Sequence, residues 1–244
     1  MSDLFVNEAT EHYKNFLDIG HTIQELAKKL GKHIEPVHRK NDPHFLKLSH
    51  PDQAAVVERL KVYQDLFELS NSTDMLAPSE KRLLWLALKL LKFMPSSDLM
   101  NMVDEEDFIE VYVGTTQVYR SFNYYDICSY SFDELETVPW PELFCRPDAS
   151  ITDDILAEVS VVIQSKKMLV SQTPAHFVNE TSSPFQNKIL YKLKYIIPIK
   201  DLETNRSDCF VAVISASLAK TAPRGERIDR IMEYQNSTIP LHLV

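Results

Sequence analysis

The chain has 244 residues, 44% of them hydrophobic and 25% charged, with a formal net charge of −9. That length allows one large or two small domains with a real core, and the acidic balance argues against general affinity for a phosphate backbone. Four glycines leave little material for a phosphate-cradling loop, and the three cysteines, Cys128, Cys145 and Cys209, form no CxxC pair, which fits a reducing, cytosol-like compartment.

The opening "MSDLFVNEATEHYKNF" has no basic start and no apolar run, so no signal peptide is expected and the localisation expected is cytoplasmic. Phe16, Gly20, Ile23, Ala27 and Leu30 then recur at steps of three and four, which predicts an amphipathic helix ending near Gly31. The connection that follows carries His33, His38, His44 and His50. No two of these stand at the i, i+4 spacing of a helical zinc motif and no cysteine is near, so no metal site is expected. "TIQELAKKLGKHIEPVHRK" has the outline of a helix and turn from a DNA-binding unit, but Pro36 and Pro43 leave little room for a recognition helix.

Pro51 suits the first turn of a second helix, with Val56, Leu60, Tyr63 and Phe67 on one face. The third helix, 83–94, is apolar nearly all round and too short to span a bilayer. Such a helix must be buried on several sides. Leu83, Trp85, Leu86, Leu90 and Phe93 are its candidate contacts in a homodimer.

The period changes after residue 107. Segments 108–113 and 118–122 are β-branched and aromatic, with Gly114, Thr115 and Thr116 between them as a hairpin turn. In "SFDELETVPWPEL", Ser131 and Glu134 fit a capping box, Pro139 stops that helix and Pro141 starts another. Asp133, Glu134 and Glu136 are expected as first-turn and surface charges, and Trp140 as a packing anchor. Ser150 or Thr152 can cap a longer helix with Ile155, Val159 and Val162 as its stripe. Three strands are predicted next, at 168–178, 189–199 and 209–216. In the middle one Tyr191, Leu193, Tyr195 and Ile197 oppose Lys192 and Lys194, which predicts one wet face.

"QVYRSFNYYDICSYSFDEL", with Tyr130, Ser131, Glu134 and Leu135 in place, then "RPDAS", then "ILYKLKYIIPIKDLETNRSDCFVAVISA", carry a resemblance over about 104–218. The stretch resembles a PAS domain, the small sensor module of many bacterial regulators. Ser129 stands where the family usually has glycine, and Ser121 where asparagine is common. The resemblance implies an α+β chain: an all-helical N-terminal module, 1–100, then a PAS-like five-stranded antiparallel sheet with flanking helices, 101–222, then an extension, 223–244. It implies an interior pocket whose wall draws on Tyr112, Tyr119, Tyr124, Tyr130, Trp140, Phe177, Tyr191, Tyr195 and Phe210. It also places the third helix where such proteins often dimerise.

No cofactor is expected. The flavin-reactive "NCRFLQ" element is missing, and the helix "ITDDILAEVSVVIQSKK" lacks the histidine that haem-binding members use; His176 lies on the next strand. PAS folds host many functions. The function expected is a non-enzymatic cytoplasmic sensory or regulatory protein, its PAS-like half binding a small ligand or a protein partner and signalling through the helical half. The alternatives are a DNA-binding transcription regulator, opposed by the acidic balance, and an enzyme of unrecognised class, for which no nucleophile–base pair or metal set is legible.

Overall fold

The computed structural model describes residues 2–37, 42–72, 79–96, 99–146, 148–181, 187–204 and 206–219. The predicted extension 223–244 and His38 lie outside them. Helix α1 (Ser2–Lys29) ends where Gly31 takes a left-handed φ of 69°, which lets the Lys32 amide return to the Ala27 carbonyl. A short 3₁₀ turn, His44–Lys47, precedes α2 (His50–Ser72), with Pro51 in its first turn. Helix α3 (Glu80–Leu90) starts at Ser79, whose side chain accepts from the Arg82 amide.

The chain then forms β1 (Phe93–Met94), α4 (Leu99–Met102) and the hairpin β2 (Phe108–Val113) and β3 (Thr116–Arg120). A 3₁₀ turn (Phe122–Asp126), α5 (Phe132–Thr137), α6 (Trp140–Leu143), β4 (Phe144–Cys145) and α7 (Ser150–Ser165) follow. The strands β5 (Leu169–Val170), β6 (His176–Glu180), β7 (Lys188–Asp201) and β8 (Cys209–Leu218) complete the order. The fold is α+β. Its antiparallel sheet runs β3-β2-β8-β7-β6-β4, with β1 and β5 also on β7. The three added strands β1, β4 and β5 have two residues each, whereas the other five have five or more.

Four expectations about the elements need correction. The third helix stops at Leu90, and Phe93 and Met94 form β1 instead, inside a half expected to be all helical. The strand predicted over 168–178 is two strands, because the chain leaves the ladder between Val170 and His176, where Pro174 has no N–H to give. The alternation predicted in 189–199 breaks at Lys194. Leu193 faces Ile214 and Tyr195 faces the adjacent Val213, so an extra residue bulges out, and Tyr195 and Ile197 fall on the face opposite Tyr191 and Leu193. One face is wet before the bulge, as predicted: Lys188 and Leu190 are exposed, and so are Ser215 and Ser217 beside them on β8, while Lys192 and Lys194 are held against the sheet by Ser171, Thr173, Asp104 and Asp107. The long helix is not capped by Ser150 or Thr152; Asp148 Oδ1 accepts from the Ser150 amide at 3.0 Å instead.

One continuous buried cluster runs from Phe16 on α1 to Ile214 on β8, so the helical half and the sheet share a core. Phe16 stacks on both Phe45 and Phe132, at 4.3 and 5.3 Å between ring centres. Helix α2 lies along the open edge of β3. There the Tyr63 hydroxyl accepts from the Arg120 amide at 2.8 Å and donates to its carbonyl at 3.0 Å, the two backbone groups that β2 leaves unpaired.

Candidate functional site

Residues 121–140 have two sides. One side is bonded to the helical half. The Phe122 amide donates to Glu80 Oε2 at 3.2 Å, and the Phe132 and Asp133 amides donate to the Glu35 and Pro36 carbonyls, both at 2.9 Å. The Asp133 carboxylate accepts from the His44 and Phe45 amides at 2.7 and 2.9 Å. Asp133 and Glu134 are therefore buried and not surface charges, as the sequence reading had them. Burial pushes the Asp133 pKa up, against the two amides that pull it down. Glu134 closes the expected capping box: Ser131 Oγ accepts from its amide at 3.3 Å, and its Oε2 accepts from the Ser131 amide at 2.8 Å.

The other side faces the sheet. Trp140 stacks on Phe144 at 4.1 Å and meets Tyr124 edge-on at 6.3 Å. With Ile127, Cys128, Val178, Ile189 and Tyr191 these rings enclose a cavity of about 10 Å³. Beside it lies a buried charge network. Glu110 accepts from the Tyr112 and Tyr124 hydroxyls at 2.8 and 2.9 Å. Arg120, its cross-strand partner, donates to Leu135 O, Gln117 Oε1 and Glu136 Oε1. Burial alone would lower the Arg120 pKa, but the Glu136 and Glu110 carboxylates outweigh it and the guanidinium stays charged. Burial, then the Glu110 charge, holds both tyrosines far above their usual pKa.

The nine aromatic positions expected to form a pocket wall are thus divided. Tyr124, Trp140 and Tyr191 line the cavity. Tyr112 and Phe210 stack on each other across β2 and β8 at 5.0 Å, and Tyr130 donates to the Leu143 carbonyl at 2.6 Å. Tyr119 packs on Tyr63 at 5.7 Å on the opposite face. Phe177 is 38% exposed beneath the Lys188 ammonium, and Tyr195 is turned away by the bulge. Sequence reasoning passed over Glu110 and Arg120. A signal was available for Glu110, the one charge in a strand otherwise built from apolar and aromatic residues, and Arg120 follows as its cross-strand partner.

Of the five dimer candidates, Leu83 and Phe93 are buried within the chain, Leu86 and Leu90 are half-buried against its core, and Trp85 is 49% exposed. His176 holds its Nδ1 against the Pro174 carbonyl at 3.0 Å and accepts from Arg146 Nε at 3.1 Å. Burial first, and the neighbouring Arg146 and Lys192 charges, lower its pKa, so the imidazole is neutral. Among the described residues, no group of three or more His, Cys, Asp or Glu side chains is placed to hold a metal, and no helix is long and apolar enough to cross a membrane. Comparison of the chain with protein-family models, with curated proteins and with solved structures finds no match.

Proposed function

We propose that the protein is a sensory or regulatory protein whose PAS-like half receives a signal by contact with a protein partner and passes it to the helical half. The observation that carries this reading is the double engagement of residues 121–140. Tyr124 and Trp140 wall the cavity against the sheet, while Phe122, Phe132 and Asp133 in the same segment are bonded to Glu80, Glu35, Pro36, His44 and Phe45. A displacement on the sheet side moves groups that the helical half holds. An effector shifts such a balance only by binding one arrangement better than the other.

The choice of a protein over a small molecule rests on volume. Ligand pockets run to roughly 300–1,000 Å³, and a site of about 10 Å³ among Tyr124, Trp140 and Tyr191 has room for a single water at most. Native mass spectrometry of freshly purified protein tests this. The expected spectrum shows the bare chain of 28.2 kDa or a whole multiple of it. A stoichiometric small molecule retained on the chain would replace the contact reading with a ligand-sensing one.

A further inference from the structure

Trp85, Leu88 and Lys89 stand at i, i+3 and i+4 on α3, so they share one face, which Lys92 extends. Phe93, Met94, Pro95 and Leu202 stand opposite, and the two sets line an open groove of about 340 Å³. Its floor is buried, at Leu88 and Phe93, while Trp85, Met94 and Leu202 expose 49, 52 and 52% of their surface. The groove exists because Lys92 takes a left-handed φ of 57°, which turns the chain from α3 into β1, and because the Leu202 amide donates to the Lys92 carbonyl at 3.0 Å.

The rim is basic on a chain of net charge −9. Lys89 and Lys92 line the groove, and Lys200 is the cross-strand partner of Met94, so the two side chains project on the same face. Lys92 is paired with Glu203. Lys89 and Lys200 have no carboxylate partner among the described residues.

We infer that this groove binds an acidic amphipathic helix of a partner protein. Its apolar stripe lies between Trp85 and Leu202, and its flanking Asp or Glu residues meet Lys89 and Lys200. An added strand does not fit, because β1 has two residues and is followed by Pro95, which has no N–H to donate. A second copy brings another basic rim rather than an acidic one, so it lacks the charge complement that an acidic helix supplies. The inference rests on the contact reading above and names its surface.

The test uses the full chain and two fluorescein-labelled helical peptides of identical Leu/Ala stripe, one with Glu and one with Lys at the remaining positions, followed by anisotropy. The Glu peptide binds saturably, and Trp85→Ala weakens it about tenfold with the circular dichroism spectrum unchanged. Lys89→Glu with Lys200→Glu abolishes that binding and lets the Lys peptide bind instead. Equal binding of both peptides, no binding of either, or no effect of Trp85→Ala overturns the inference. So does a dimer in sedimentation equilibrium that Trp85→Ala dissociates, since a second copy then covers the groove. A retained small molecule in the native spectrum would instead strike the contact reading, so the two failures are told apart.

Discussion

Glu80 holds the first position of α3 with 4% of its surface exposed. One oxygen accepts from the Phe122 amide; the other, Oε1, is buried without a partner among the described residues, as is the Tyr119 hydroxyl. Burial raises the Glu80 pKa from 4.5 to about 7; the Phe122 amide and Lys32 oppose this, while Glu105 and Asp126 add to it. The native state therefore keeps a proton that the unfolded chain gives up between those two values. The stability this confers is fully present below about pH 4.5 and is lost as pH rises through about 7. The loss is roughly 3 kcal/mol at the full separation. Glu80→Gln keeps an oxygen for the Phe122 amide and cannot ionise. It should match the native protein near pH 4 and exceed it by about 2–3 kcal/mol at pH 8 in urea unfolding. A difference that does not change with pH would show that the carboxyl does not titrate in this range.

Helix α5 has six residues and depends on its capping box rather than on length. Ser131→Ala together with Glu134→Ala leaves two amides without partners at its start and should lower the urea midpoint by the equivalent of about 2 kcal/mol. An unchanged midpoint would mean that α5 is held by packing alone. This element was legible because its signal is local: four consecutive residues contain the whole device. The hairpin turn was legible for the same reason, since Gly114 takes a positive φ of 59°. The bulge at Lys194 was not, because nothing in "YKLKYIIPI" distinguishes an extra residue from continued alternation. The bulged Lys194 reaches Asp104 and Asp107, about ninety residues earlier. The burial of Asp133 was hidden likewise, since its partners are the amides of His44 and Phe45. Of the candidate site, the aromatic residues were visible by type, but the face of each depended on pairings across the sheet.

The boundary expected between residues 100 and 101 falls across a continuous core. Phe132 on the sheet side stacks on Phe16, and Tyr119 stacks on Tyr63. A fragment of residues 101–219 loses these partners together with β1 and the cover of β3. It should show no cooperative thermal transition and should bind a hydrophobic dye, whereas the full chain melts in one step. A fragment melting at the temperature of the full chain would establish it as a separate folding unit. The Tyr63 hydroxyl has a consequence beyond stability. A bare sheet edge is a template on which another chain can grow, and at Arg120 this one is capped by a phenol on α2. Residue 63 leaves the ribosome before residue 120, so the guard is synthesised before the edge it protects. A growing chain among its neighbours on a crowded message has its own α2 within reach when β3 first emerges, and self-association through that strand loses the race to an intramolecular partner already waiting.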